Sequence, residues 1–91
     1  MQAINENYNL DEQAERIGLI VGVSNEIYFR SISRASDVYM EFIKDQWVAW
    51  RESFTPNTNH RVSYKLIAHG DFELVIARVK KYLNYISKRR K

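Results

Sequence analysis

The sequence predicts a mainly α protein, a small helical domain with room for one strand at 60–68. Two observations carry this. Apolar side chains recur every three or four positions at Leu10, Ala14, Ile17 and Val21, at Met40, Ile43, Trp47, Trp50 and Phe54, and at Phe72, Val75, Val79, Leu83 and Ile86, the spacing of a helix with one buried side. Residues that cap helix N-termini, Asn9, Ser24 and Asp71, precede the apolar runs that begin at Leu10, Ile27 and Phe72. At 91 residues, 45% hydrophobic and 13% aromatic, the chain is expected to form a single domain, 1–91, with a modest core and little room for an enclosed active site. Its termini, about 1–8 and 88–91, are expected to be flexible.

The first helix is expected to start at Asn9, with Glu12 reaching back to the cap as in a capping box. Gly22 would close it by adopting a positive φ, and Ser24 would cap a second helix with Ile27, Tyr28 and Ile32 facing inward. The same stretch admits another reading, in which Ile17–Val23 and Glu26–Ile32 are strands joined by a Ser24-Asn25 turn. The β-branched content favours it, but two-residue turns want positive φ at both central positions, and Ser-Asn supplies one suitable residue. The alternative fold is therefore α+β, with a hairpin at 17–32 and a strand at 60–68 packed on helices 36–54 and 71–88.

Residues 36–54 read as a helix in both cases. Tyr39, Met40, Ile43, Trp47, Trp50 and Phe54 would form an aromatic stripe that serves either as core or as a homodimer seam. Pro56, within "TPNTN", marks a loop. Beyond it Val62, Tyr64, Leu66 and Ala68 alternate with Arg61, Ser63 and Lys65, as in a half-buried strand. Gly70 ends that segment and Asp71 caps the last helix.

Charge is distributed unevenly. Residues 1–16 carry one basic and four acidic side chains, 17–60 carry four and five, and 61–91 carry nine and two. Arg78, Lys81, Lys88, Arg89, Arg90 and Lys91 thus form a cationic end suited to DNA phosphates or to an acidic protein surface.

Within "IGLIVGVSNEIYFRSISR" the residues Ile17, Gly18, Val21, Gly22, Val23, Ser24, Tyr28 and Phe29 resemble the helix-turn-helix of AraC-type regulators, although Gly18 stands where that family usually has alanine. The resemblance covers residues 14–34 and implies that Ser24–Arg34 is a recognition helix. It would place Arg30 and Arg34 on guanine edges, Asn25 on adenine, and Ser24 near a phosphate, with Ser31 on the same exposed side. The implied function is a small dimeric DNA-binding regulator. The competing expectation is a protein-binding module of the inhibitor or immunity type.

An enzyme is not expected. His60 and His69 lack a ligand-spaced partner, and no nucleophile elbow or glycine-rich phosphate loop is present. No metal, cofactor or small-molecule substrate is anticipated. With no cysteine, and with its longest apolar run confined to Ile17–Val23, the chain is expected to be cytoplasmic and to have no membrane segment.

Overall fold

The computed structural model describes residues 10–55 and 61–89. They form helix α1 (10–16), strands β1 (Ile20–Val23), β2 (Ile27–Ser33), β3 (Ser36–Ile43), β4 (Gln46–Phe54) and β5 (Arg61–Gly70), and helix α2 (Phe72–Arg89). The strands make one antiparallel sheet in the order β1-β2-β3-β4-β5, each paired with its neighbour in sequence. The protein is α+β, which overturns the mainly helical expectation. Asn9, the Pro56 loop, the terminus 1–8, Arg90 and Lys91 lie outside the described residues, whereas Lys88 and Arg89 belong to the last turn of α2.

The largest correction falls on 36–54, where the expected helix is the β3–β4 hairpin, paired from Ser36↔Ser53 to Ile43↔Gln46. Its turn is Lys44-Asp45, with φ of 48° and 67°. Positive φ at both central residues gives a two-residue turn the twist that antiparallel strands require. The helical periodicity misled because both faces of this hairpin carry apolar residues. Val38, Met40, Trp47 and Ala49 are buried, while Tyr39, Ile43, Val48, Trp50 and Phe54 occupy the alternate positions.

The second correction concerns 17–34. Helix α1 ends earlier than expected, at a left-handed Gly18 (φ 94°). The amide of Leu19 donates to the Ala14 carbonyl at 3.0 Å and that of Gly18 to the Glu15 carbonyl at 3.0 Å, the paired bonds of a Schellman motif. Leu19 and Ala14, the residues that pack together in such a motif, are both in the core. Gly18 is therefore the end signal, and Gly22 lies within β1 beside a register shift between Val21 and Val23.

Residues 24–26 then form the β1–β2 turn, since Val23 pairs with Ile27. The Glu26 amide donates to the Val23 carbonyl at 2.9 Å, and Asn25 alone takes positive φ, 64°. A three-residue loop needs one left-handed residue where a two-residue loop needs two, which removes the objection that the sequence raised. The expected recognition helix over 24–34 is this turn, β2 and the start of the β2–β3 turn.

Both helices pack on one side of the sheet. There Tyr28 stacks on Trp47 (ring centroids 5.6 Å apart), and Phe72 meets both rings edge-on at 6.5 and 5.2 Å. Val75, Ile76 and Val79 from α2, with Ala14 from α1, complete the core. Asp71 caps α2 through a 2.9 Å bond from the Leu74 amide to its Oδ1. Gly70, at φ 140°, gives the chain the turn between β5 and that cap.

Candidate functional site

Strand geometry places every second side chain on the side of the sheet away from the helices. Register puts Phe29 opposite Tyr39, Tyr39 opposite Trp50 and Trp50 opposite Leu66, while Glu52 lies opposite Tyr64. The rings form a ladder. Tyr39 stacks on Trp50 at 5.5 Å, and Trp50 stacks on Tyr64 at 6.1 Å. Stacked cross-strand pairs of this kind each contribute about 0.5–1.5 kcal/mol beyond area burial. No second layer of described residues covers them. Tyr64 is 52% exposed, Leu66 49% and Ile20 55%.

Acidic groups are set into this ladder. Asp37 accepts from the Ser31 hydroxyl at 2.8 Å and from the Tyr39 hydroxyl at 3.2 Å; Glu52 accepts from the Trp50 indole N–H at 2.9 Å. Glu41 occupies the same face, two residues beyond Tyr39. Partial burial, followed by the charge of Asp37, its hydrogen bond and the charge of Glu52, raises the Tyr39 pKa above the ordinary phenol value. No lysine or arginine among the described side chains of the strands shares this face. Arg51 and Lys65 face α2, and Arg30 approaches the Gly18 carbonyl beside α1.

The residues expected to read DNA are dispersed. Ser24 and Asn25 sit in the β1–β2 turn and bind Asp11 of α1: the Ser24 hydroxyl donates to Asp11 Oδ2 at 2.6 Å and the Asn25 amide to Oδ1 at 3.0 Å. Arg30 and Ser31 point to opposite sides of β2, and Arg34 lies in the turn at its far end. Arg78 and Lys81 share a groove beside β5, with Lys88 and Arg89 further along α2. The expected interface is divided as well, because Met40 (0% exposed) and Trp47 (5%) are core and Tyr39, Ile43, Trp50 and Phe54 lie on the open face. Sequence reasoning missed Phe29, Tyr64, Leu66, Asp37, Glu41 and Glu52; assignment to the correct strands would have placed them on one side.

Among the described residues no group of three or more His, Cys, Asp or Glu side chains is placed to hold a metal ion. His69 shares a 3.2 Å hydrogen bond with Gln46. A hollow of about 350 Å³ near the end of α2 is lined by Arg30, Ser31, Asn84, Ser87 and apolar residues, with no acid–base pair. No described helix is long and apolar enough to cross a membrane. The fold and this face define an α+β protein with one open, aromatic and acidic sheet surface. No family model, curated protein or solved structure matches the chain.

Proposed function

We propose that the protein is a non-catalytic binding module that docks the open face of its sheet onto a basic surface of a larger protein. The observation that carries this reading is the aromatic ladder Phe29–Tyr39–Trp50–Tyr64 set among Asp37, Glu41 and Glu52. Partly exposed rings flanked by carboxylates suit arginine and lysine side chains, which stack on aromatic faces for about 0.5–2 kcal/mol each while pairing with the acids. Charge also decides against a second copy on this face. A two-fold interface uses the same patch on both protomers and would pack one acidic face, with its three carboxylates, onto another.

The test is an NMR titration of the isotope-labelled protein with an arginine-rich peptide and with a glutamate-rich peptide of equal length. The arginine-rich peptide is expected to shift the signals of Tyr39, Trp50, Tyr64 and Leu66, and the doubly neutralised variant Asp37→Asn, Glu52→Gln is expected to bind it more weakly. If those signals stay fixed, or if sedimentation shows a dimer sealed through Trp50, the reading fails.

A further inference from the structure

A second surface, which meets the open sheet face at Leu66, lies between β5 and the later turns of α2. It is a groove of about 310 Å³ lined by Lys65, Leu66, Ile67, Arg78, Lys81, Tyr82 and Tyr85. Three cations and no carboxylate contribute to it. Beneath them is a fourth cation, Arg51, directly opposite Lys65 in the β4–β5 ladder. Like charges facing each other across a ladder repel, yet here they share one support. Arg51 Nη1 donates to the Tyr82 hydroxyl at 2.9 Å, and Lys65 Nζ stands 5.9 Å from the centre of the Tyr82 ring. Arg51 Nη2 donates to Ser36 Oγ at 3.2 Å, while its Nε is buried with no hydrogen-bond partner among the described residues.

We propose that this groove binds the phosphate backbone of a nucleic acid, without reading its sequence. The linear arrangement of charge favours a polymer over a single phosphate. Arg78, Lys81 and Lys88 lie on one stripe of α2, spanning about 15 Å at 1.5 Å per residue. Base stacking is not provided for. Lys65 covers the Tyr82 ring, and Arg89 covers Tyr85, its Cζ 5.5 Å from the ring centre and its Nη1 donating to the hydroxyl at 2.9 Å. With both rings occupied, Coulomb attraction and counterion release supply the affinity.

Fluorescence anisotropy with two labelled DNA duplexes of unrelated sequence, across 50–200 mM salt, tests this. Both duplexes are expected to bind equally, with log affinity falling linearly against log salt. The variant Arg78→Ala, Lys81→Ala is expected to flatten that slope by about 1.8, about 0.9 for each phosphate contact removed. Both positions are exposed on a helix, where alanine is well tolerated, and circular dichroism verifies that the variant is folded. Trp50→Ala, on the opposite face, is expected to leave duplex binding unchanged. Absence of binding at 50 mM salt, an unaltered slope in the double variant, or tighter binding to phosphatidylserine vesicles than to duplex would overturn the proposal.

Discussion

Tyr28 and Asp11 are joined by a 2.6 Å hydrogen bond from phenol to carboxylate, and through it the core of the sheet is tied to α1. The same carboxylate accepts from the Ser24 hydroxyl and the Asn25 amide. One acidic side chain therefore fixes both the β1–β2 turn and the helix that precedes it. The bonds from Ser24 and then Tyr28 hold the Asp11 pKa below the ordinary carboxylate value.

Replacing Asp11 with alanine is expected to cost about 1–2 kcal/mol at pH 7. A depressed folded-state pKa gives stability that is present above the unfolded value of about 4 and lost as pH falls through the folded one. Urea denaturation should therefore show the gap between wild type and Asp11→Ala closing between pH 5 and pH 2. A gap that stays constant would mean that the ionised carboxylate is not the clamp.

Tyr28 predicts the opposite limb. Burial first, then the bond to Asp11, raises its pKa well above that of a free phenol. Such a group contributes stability that is present below the unfolded value of about 10 and declines as pH rises beyond it. Denaturation between pH 8 and pH 11 should show a steeper alkaline loss for wild type than for Tyr28→Phe. Some slope should remain in the variant, because the Tyr39 pKa is raised as well.

The two tryptophans should separate cleanly. Trp47→Ala removes a ring that is 5% exposed and packed against Tyr28, Phe42 and Phe72, at an expected cost of about 3–5 kcal/mol. Trp50→Ala removes a ring from the open face, at an expected cost of about 1 kcal/mol for the lost stacking. Thermal melts of the two variants measure the difference. Equal losses would mean that the outer face is covered.

The Lys44-Asp45 turn offers a test whose sign depends on the fold. Both residues take positive φ, a conformation that costs an L side chain roughly 1–2 kcal/mol. The change Lys44→Asn, Asp45→Gly supplies the preferred pair for this turn and should stabilise the protein by about 1 kcal/mol in chemical denaturation. In a helix over 36–54 the same glycine would destabilise by about that amount.

What was legible in the sequence depended on whether one face or two were apolar. Helix α2 has one buried stripe, a capping aspartate and a polar outer side, so its period stands out. The segment around β5 alternates visibly in the sequence and is a strand, but the face that the alternation implied is split, because the register shift between Ala49 and Trp50 leaves Tyr64 and Leu66 on the open face and Ala68 in the core. Strands β3 and β4 carry a core face and an aromatic outer face, which erases the two-residue period, and Lys-Asp is not a pair that announces a turn. At Val21 the two readings coincide, because the eleventh residue after Leu10 in a helix and the helix-facing position of β1 both lie inward. Nothing in the spacing there could separate them. The open face could be assembled only once register was known, since Phe29, Tyr39, Trp50 and Tyr64 come from four different strands.

The order of the elements also has a consequence for synthesis. All five strands precede α2, yet α2 supplies Phe72, Val75, Ile76 and Val79 to the core. At about 5–20 residues per second, a ribosome takes roughly one to four seconds to make a helix of this length after the last residue of β5 has been added. Until α2 docks, a sheet of β1–β5 leaves Tyr28, Met40 and Trp47 uncovered on one side and its aromatic ladder on the other. A chain halted before Phe72 would be a sheet with two adhesive faces, the form in which a chaperone or an aggregate would meet it.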